Sequence, residues 1–433
     1  MQVRGREGEF SGMDELPRRL EPVIRQALSS FRVVVVSGAR QAGKTTLVRR
    51  TLDGAGTFAR LDHEATLRAA LEDPAGFAAF GDTPRAIDEV QRAGEPLIRA
   101  IKSIVDDDAG RGQFLLNGSA DFLTVPSISE SLAGRAALLE LWPFTQGELG
   151  GAPDGFLEAA FADPDLLLDA EPSSLGLADY LERICAGGFP EPALMAPRMR
   201  GAWFRDYVRT VTQRDIKDLT GARRVRELPK LLALLAARTS GELVTASLLR
   251  ASDLGSRDTM EAYLGYLQMT YLVLLVPAWS RNLSAKIIRR PKAHLTDSGL
   301  AAHLLGRDPR SLARPTDTAR GQLLESFVVN ELHRQASWLT DEVRLHHLRE
   351  RGGPEVDIVA ESLDGRFVAV EVKSAPQADR HDARHLLWLQ DKAPDDFVCG
   401  VVLHTGARAY RLDDRILALP VSRLWTTDRL SDT

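Results

Sequence analysis

At 433 residues the chain is too long for one ordinary hydrophobic core, and its 44% apolar and 27% charged residues are typical of a folded protein with several domains. A net charge of −5 does not favour a protein that coats nucleic acid non-specifically, because that mode of binding needs many Lys and Arg side chains. No apolar run reaches the roughly 20 residues that span a bilayer, and the first residues lack the apolar centre of a secretory signal. We therefore expect a cytoplasmic protein with no membrane partner.

The first functional motif follows a short apolar strand. Residues 31–37 read FRVVVVS, which is typical of a parallel strand buried on both faces. The strand leads into G-x-x-x-x-G-K-T and then into a helix start, the order that a phosphate-binding loop requires. Loop N–H groups and the helix N-terminus bind phosphate, Lys44 reaches the terminal phosphates, and the Thr45 hydroxyl ligates magnesium. The predicted cofactors are ATP and Mg²⁺, and the predicted binding residues are Gly38, Ala39, Arg40, Gln41, Ala42, Gly43, Lys44, Thr45 and Thr46.

A second acidic motif supplies the groups that hydrolysis requires. Residues 84–91 read PRAIDEVQ, a short strand that ends in two carboxylates. Asp88 is predicted to hold Mg²⁺ through its water shell, and Glu89 to polarise the attacking water. A third strand, QFLL, ends in small polar residues that would lie beside the phosphates. Asn117 or Ser119 is therefore a candidate sensor of the γ-phosphate.

An arginine precedes the fifth predicted strand. Arg135 lies immediately before the strand at residues 136–141, a position at which ring ATPases place an arginine finger that acts on a neighbouring subunit. We predict that Arg135 is such a finger in a homo-oligomer. The alternative is a solvated arginine at the start of a strand.

With these motifs the chain resembles the AAA+-like ATPases that carry a C-terminal DUF4143 region. Asn117 departs from that resemblance, since the family more often has Thr there, and the base-free stretch from 150 to 178 resembles an insertion or a variable lid. The resemblance implies an ATPase, and it places the RDI portion of residues 210–216 near the nucleotide or a subunit interface. A solvated helix face is the alternative for that portion. The matching blocks are GARQAGKTT, IDEVQ, NGSADF, SLAGR followed by LELWPFTQGE, GGFPE, TVTQRDI and HLTDSGL.

The middle of the chain predicts a helical lid and then a winged helix. Trp203, Phe204, Tyr207, Val208 and Val211 recur at helical spacing along one face. Three helices and two strands follow in the order of a winged helix, and the segment between the strands has five basic residues and no acidic one. Winged helices also dock proteins, so DNA and protein partners both remain open. The candidate DNA contacts are Arg257, Arg281, Lys286, Arg289, Arg290 and Lys292.

The C-terminal part resembles the PD-(D/E)XK nuclease fold. A strand carries Asp357, a hairpin turn follows at residues 364–365, and the next strand brings Glu371 and Lys373 to one face. Asp357 and Glu371 would hold Mg²⁺, Lys373 would orient water, and Glu325 would add a carboxylate from the preceding helix. Solvated acid–base pairs on a hairpin are the alternative, and such folds also serve as inactive modules.

The predicted fold class is α/β: a P-loop AAA+-like parallel-sheet domain (1–150), a helical lid (151–222), a winged helix (223–306) and a nuclease-like α/β domain (315–433). The leading hypothesis for function is an ATP-dependent enzyme that binds or processes DNA, branched DNA included, with a Mg²⁺-dependent nuclease site. The alternative is a nucleotide-dependent regulatory switch of the stress, toxin–antitoxin or phage-defence type. It would act through protein partners and carry an inactive nuclease fold.

Overall fold

The computed structural model describes residues 16–118, 132, 134–169, 171–217, 225–280, 290–350 and 352–429. Ser119, Arg281, Lys286 and Arg289, four of the predicted site residues, lie outside these ranges. The chain divides into two compact units at residues 144 and 145. We call them the N-terminal unit and the C-terminal unit.

The N-terminal unit is built on a five-stranded parallel sheet of order β2-β3-β4-β1-β5. Its strands are β1 (Val33–Gly38), β2 (Thr57–Arg60), β3 (Arg85–Asp88), β4 (Phe114–Asn117) and β5 (Ala136–Leu141). Its described helices are α1 (Leu20–Ser30), α2 (Lys44–Leu52), α3 (Glu64–Glu72), α4 (Pro74–Ala79) and α5 (Gly94–Asp107), with a 3-10 turn at Val90–Arg92. The strand β4 therefore lies between β1 and β3.

Burial on both faces explains the run of valines in β1. All six residues of the strand are buried, because α5 and other helices cover the sheet. Leu97, Ile98 and Ile101 of α5 recur at spacings of three and four and join the same core cluster as Val33 and Val35. This packing confirms the predicted parallel-sheet domain and fixes the end of β1 at the phosphate-binding loop.

The C-terminal unit contains two sheets and the helices around them. Its strands are β6 (Gly241–Glu242), β7 (Val273–Val276), β8 (Lys292–Leu295), β9 (Val343–Arg349), β10 (Glu355–Ser362), β11 (Phe367–Val372), β12 (Phe397–His404), β13 (Tyr410–Asp413) and β14 (Ile416–Pro420). A small antiparallel sheet has the order β6-β8-β7, and a six-stranded mixed sheet has the order β13-β14-β12-β11-β10-β9.

The described helices of this unit are α6 (Gln146–Gly150), α7 (Phe156–Ala162), α8 (Leu177–Ala186), α9 (Pro190–Leu194), α10 (Pro197–Thr210), α11 (Leu228–Ala236), α12 (Thr245–Ala251), α13 (Arg257–Met269), α14 (Ser298–Leu304), α15 (Pro309–Leu312), α16 (Ala319–Ala336), α17 (Arg384–Lys392) and α18 (Arg423–Thr426). A π-helical turn, Val211–Asp215, extends α10, and 3-10 turns lie at Pro164–Leu167 and Val225–Glu227. None of the described helices is both long and apolar enough to span a bilayer.

Backbone hydrogen bonds join the segment after β7 to β9 of the large sheet. The N–H of Trp279 donates to the carbonyl of His347 at 2.6 Å, and the N–H of His347 donates to the carbonyl of Pro277 at 3.0 Å. The segment after β7 thus pairs with β9, so the three helices and the sheet predicted as a winged helix lie in one compact unit with the C-terminal mixed sheet.

A buried aspartate joins two of the sequence motifs in the C-terminal unit. Asp297, in HLTDSGL, accepts the N–H of Gly188 at 2.7 Å and the N–H of Leu300 at 2.8 Å. It caps α14 and faces Arg334 at 4.0 Å. Gly187 has φ +72°, and a Cβ there would lie 2.3 Å from the Asp297 carboxylate. The GGFP and TDSG motifs therefore form one packed joint.

We expect Asp297→Ala to lower the free energy of unfolding by about 3 kcal/mol, because two buried N–H groups and Arg334 lose an acceptor. Urea denaturation of the full chain measures the change. Asp341→Ala, an exposed position, is the matched control and should stay within about 0.5 kcal/mol of the parent. An Asp297→Ala protein as stable as this control would show that the contacts of Asp297 do not stabilise the fold.

Three histidines of the C-terminal unit, of which two are buried and His333 is half-buried, are held neutral. Burial lowers the pKa of His294 to about 3, with Lys292 adding to the effect. Burial likewise lowers the pKa of His333 to about 4 and that of His347 to about 4. In the unfolded chain each ring would bind a proton near its ordinary pKa of about 6.5. Their contribution to stability is therefore complete above pH 6.5 and is lost as the pH falls toward the folded-state pKa.

We expect the free energy of unfolding to fall by about 1.4 kcal/mol per pH unit for each buried histidine below pH 6.5. His294→Gln should remove one such contribution, so its loss of stability between pH 7.5 and 5.5 should be smaller than that of the parent. His63→Gln, at an exposed position, should leave the pH dependence unchanged. Urea titrations at the two pH values measure both. Equal pH dependence in the parent and His294→Gln would show that His294 is not held neutral.

Candidate functional site

The phosphate-binding loop joins β1 to α2. Gly38 ends the strand with φ +147°, and a Cβ there would lie 2.2 Å from the carbonyl oxygen of Leu141. Gly43 takes φ +97° immediately before α2, and among the described residues no side chain caps that helix. Its first N–H groups and its positive dipole end therefore point into the loop. Ala39, Arg40, Gln41 and Ala42 form the loop between the glycines, and Thr46 lies in the first turn of α2.

Lys44 and Thr45 begin α2 and turn toward the loop and β3. Lys44 is 6% exposed, and its ammonium donates to the carbonyl oxygens of Gly38 and Ala39, both at 2.8 Å. The Thr45 hydroxyl donates to the Asp88 carboxylate at 2.9 Å. The two predicted oxygen ligands of Mg²⁺ are thus in contact, and the lysine lies beside them.

The acidic pair occupies the end of β3. Burial raises the pKa of Asp88, while the hydrogen bond from Thr45 opposes the rise. Glu89 has φ +57°, and its backbone N–H donates to the Asn117 side-chain oxygen at 3.2 Å. Asn117 reaches it because β4 lies between β1 and β3. The structure places Asn117 as a support for the turn that carries Glu89.

Gln91 is a site residue that the sequence reasoning missed. Its side-chain amide donates to the Glu89 carboxylate, two residues earlier in the chain. The signal was present in the IDEVQ block, since the glutamine follows the acidic pair in a 3-10 turn. Gln91 therefore orients the carboxylate that is predicted to act on water.

Arg135 lies at the amino ends of the parallel strands, whereas Lys44 lies at their carboxyl ends. The Arg135 carbonyl accepts the N–H of Val33, at the start of β1, whereas Lys44 follows the end of that strand. The Arg135 guanidinium pairs with the Asp106 carboxylate on α5. Within its own unit, Arg135 is therefore not part of the phosphate site. A finger role remains a prediction that requires a neighbouring subunit.

The ATP and Mg²⁺ predictions fit these residues. Gly38 and Gly43 have positive φ, and the N–H groups of the loop lie between them. The Lys44 ammonium lies beside the loop, and the Thr45 hydroxyl donates to the buried Asp88 carboxylate. This donor set matches the oxygen-rich, phosphate-sharing environment in which proteins hold Mg²⁺ with a nucleotide.

The structure brings the predicted nuclease residues together in the C-terminal unit. The Asp357 carboxylate accepts the N–H of Val372 at 2.9 Å, and the Lys373 ammonium donates to Glu371 at 2.8 Å. Glu325 reaches the same cluster from α16. Burial raises the pKa of Glu371 to about 8, and Asp357 adds to the rise.

The cluster contains a lysine that was predicted to contact DNA. Lys292, the first residue of β8, is 1% exposed, and its ammonium lies 2.9 Å from Glu325, 3.2 Å from Glu355 and 3.8 Å from Asp357. Burial opposes its charge, but the surrounding carboxylates, Glu325 and Asp357 foremost, raise the pKa of Lys292. Its burial keeps Lys292 from meeting a phosphate on the protein surface in this structure. Glu355 is a further member that the sequence reasoning missed.

A magnesium nuclease centre does not fit this arrangement. Within the described ranges, no three His, Cys, Asp or Glu side chains are placed to hold a metal ion. The Lys292 ammonium lies against Glu325, Glu355 and Asp357 and offsets part of their negative charge. The predicted Mg²⁺ roles of Glu325, Asp357 and Glu371 are therefore not supported by the described residues, and the role predicted for Lys373 stays a prediction.

Two of the described DNA-contact candidates lie at the surface. Arg257 begins α13, and its side chain is 77% exposed and pairs with Glu261 at 2.7 Å, one helical turn later. Arg290 is exposed, and its backbone carbonyl accepts a hydrogen bond from His347 at 3.0 Å. These two side chains remain available to an acidic partner.

The N-terminal sheet, its glycine loop and the paired Thr45 and Asp88 define a P-loop nucleoside triphosphatase fold. Residues 30–150 match the family model described as an AAA domain. Residues 320–424 match a domain of unknown function, DUF4143, and residues 177–311 match another, DUF8612. The resemblance to AAA-type ATPases with a DUF4143 region is thus confirmed, and the N-terminal unit has an AAA-type ATPase fold.

Two curated relatives match nearly the whole chain. They are the uncharacterized proteins Rv2008c of Mycobacterium tuberculosis and Mb2031c of Mycobacterium bovis. Each is 29% identical over 415 residues, which cover 94% of this chain and 84% of the relative.

Solved structures with similarity include a Walker-type ATPase of Pyrococcus abyssi, with 15% identity, 66% of this chain and 94% of that chain covered, and a TM-score of 0.39. The RuvB Holliday junction branch migration motor of Thermotoga maritima has 19% identity, 60% and 90% coverage, and a TM-score of 0.29. The Aeropyrum pernix Orc1 protein in complex with DNA has 15% identity, 68% and 93% coverage, and a TM-score of 0.25.

Proposed function

We propose that this protein binds ATP with Mg²⁺ and hydrolyses it at the N-terminal unit. The observation that carries the proposal is the 2.9 Å contact between the Thr45 hydroxyl and the Asp88 carboxylate, beside the buried Lys44 ammonium. Parallel strands end at one edge of the sheet, so the phosphate loop and the acidic pair meet there without help from another region.

Each residue has a chemical role in this proposal. Lys44 exchanges its two carbonyl contacts for the terminal phosphates, while the loop N–H groups hold the phosphate chain. Bound Mg²⁺ supplies charge neutralisation at the phosphate oxygens, with Thr45 and Asp88 holding it. Glu89 accepts a proton from the attacking water, and Asn117 and Gln91 fix the position of that carboxylate.

We expect Glu89→Gln to lower the ATP turnover rate by at least about 100-fold while the affinity for ATP stays within about threefold, because the amide cannot accept the proton of water. Asn117→Ala should lower turnover by about tenfold through a misplaced Glu89. Steady-state phosphate release and fluorescent nucleotide titration measure the two quantities.

Glu72→Gln, at an exposed position of α3, is the matched control and should leave both quantities unchanged. Turnover in Glu89→Gln equal to that of the control would remove Glu89 from the reaction. Loss of ATP affinity in Glu89→Gln would instead give the carboxylate a structural role.

ATP turnover is coupled to DNA in the leading form of the proposal, with branched DNA as one substrate and a homo-oligomer as the active species. The support is local: Arg257 and Arg290 are exposed, and the segment from 281 to 290 has four basic and no acidic residues. Lysine and arginine side chains in such a segment bind phosphates with little dependence on sequence. DNA cleavage is not included, because Lys292 lies among the carboxylates that would have to hold the metal.

The position of Lys292 among these carboxylates favours the second candidate. This candidate is a nucleotide-dependent switch that acts through protein partners and carries an inactive nuclease fold. A lysine ammonium that already contacts these carboxylates does not favour a catalytic metal ion at the same oxygens. In that case the basic segment would meet an acidic protein surface. The two candidates differ in whether DNA changes the turnover rate.

We expect duplex or four-way-junction DNA to raise the turnover rate several-fold, and the double substitution Arg257→Ala with Arg290→Ala to reduce that stimulation while basal turnover is unchanged. Raising the salt from 50 to 200 mM should weaken the effect, since phosphate contacts release counterions. Arg344→Ala, an exposed arginine on β9, controls for the loss of charge. Turnover indifferent to every DNA form would favour the switch.

A further inference from the structure

Arg18, shortly before α1, is a buried arginine that contacts the phosphate-binding loop. It is 8% exposed, and its guanidinium donates to the carbonyl oxygen of Ala42, inside the loop, at 3.5 Å. The same guanidinium donates to the carbonyl of Trp142, and its Cζ lies 4.2 Å from the centre of the Phe144 ring. An arginine seldom leaves water unless its N–H groups meet acceptors, so these contacts fix where the side chain lies.

Both ends of this contact are anchored elsewhere in the N-terminal unit. Arg50, on α2, donates to the carbonyl of Leu16 at 2.7 Å and so holds the segment that carries Arg18. Trp142 follows β5, which pairs with β1, the strand that leads into the loop. Arg18 therefore ties the phosphate-binding loop to the end of the neighbouring strand.

The contact with Ala42 orients a donor for phosphate. In a planar trans peptide, the C=O of one residue and the N–H of the next point in opposite directions. With the Ala42 carbonyl directed at Arg18, the N–H of Gly43 is directed away from it. Gly43 immediately precedes α2, at the helix end where N–H groups bind phosphate. Arg18 thus fixes the orientation of a loop N–H group that phosphate would use.

Lys44 also holds the loop, but its contacts are exchanged in the proposed function. Its ammonium donates to the carbonyls of Gly38 and Ala39, and it leaves them for the terminal phosphates. Arg18 has no part in that exchange, so its contacts with Ala42 and Trp142 are retained when the lysine moves. A loop that keeps its shape binds phosphate more tightly, because less ordering takes place on binding.

We propose that Arg18 is a positioning residue of the ATP site, and that it holds the phosphate-binding loop in its binding shape after Lys44 has turned to the phosphates. The inference rests on the proposed ATP site, and it adds to that site a residue from outside the loop and the acidic motif. Loss of the Arg18 guanidinium should weaken binding of the phosphate chain, whereas the hydrolytic step, which depends on Glu89, should change much less.

The test compares Arg18→Met with Arg32→Met in the full chain. Arg32→Met is the matched control, because the half-buried Arg32 also donates to a backbone carbonyl, that of Val105 at 2.7 Å, but at the amino ends of the strands. Fluorescent nucleotide titration measures the affinity for ATP with Mg²⁺, calorimetry measures the affinity for inorganic tripolyphosphate with Mg²⁺, and phosphate release measures turnover.

We expect Arg18→Met to bind both ligands about tenfold more weakly than the parent, with turnover at saturating ATP lowered by less than about threefold. Arg32→Met should leave all three quantities unchanged. Arg18→Lys should recover part of the affinity, because its ammonium can still donate to a carbonyl. If Arg18→Met does not fold, Arg18→Lys carries the same comparison, with binding about threefold weaker than in the parent.

Hydrogen exchange gives a second measurement that needs no ligand. The amides of residues 38–45 should exchange faster in Arg18→Met than in the parent and in Arg32→Met. Equal affinities in Arg18→Met and Arg32→Met would overturn the inference and leave the ATP site standing. A loss of affinity for ATP alone would also overturn it, since tripolyphosphate reports on the loop without the base and the sugar. A parent protein that binds neither ligand would overturn the proposed ATP site, and this inference with it.

Discussion

A charge that leaves water must meet an opposite charge or a dipole inside the protein, and this requirement orders both units. In the N-terminal unit, the buried Lys44 ammonium meets two backbone carbonyls and the buried Asp88 carboxylate meets a hydroxyl. In the C-terminal unit, Asp297 meets two backbone N–H groups and Lys292 meets three carboxylates. The contacts of Lys44 and Asp88 can be exchanged when a ligand binds, whereas the contacts of Asp297 fix the fold.

Much of the N-terminal unit could be predicted from the sequence because its signals are local. The valine run of β1, the glycine spacing before Lys44 and the two carboxylates after β3 lie within short windows, and parallel pairing then brings them to one edge. Asn117 or Ser119 was predicted to sense the γ-phosphate, and that role stays a prediction; the structure adds a hydrogen bond from the Glu89 N–H to the Asn117 side-chain oxygen. This contact depends on the strand order, which no local pattern contains.

The environment of Lys292 could not be predicted in the same way. Its neighbours along the chain are basic, so the local pattern placed it on a solvated segment with Arg290. In the structure its ammonium is buried against Glu325 and Asp357, which are 33 and 65 residues away by their numbering. Long-range packing, and not local composition, decides whether a lysine faces DNA or a carboxylate. Asp357 and Glu371 were predicted because the hairpin pattern that carries them is local, whereas Glu355 and Lys292 were not placed in the cluster.

The backbone pairing between the segment after β7 and β9 has a consequence for how the chain can be divided and inherited. A break within residues 307–314, between the predicted winged helix and the predicted nuclease-like domain, would cut between β8 and β9 and leave the N–H groups of Trp279 and His347 without their carbonyl partners. It would also leave Lys292 on one piece and the carboxylates of Glu325, Glu355 and Asp357 on the other. Recombination between relatives would therefore have to exchange residues from β7 through the mixed sheet as one block, although two separate family models meet in the middle of that block.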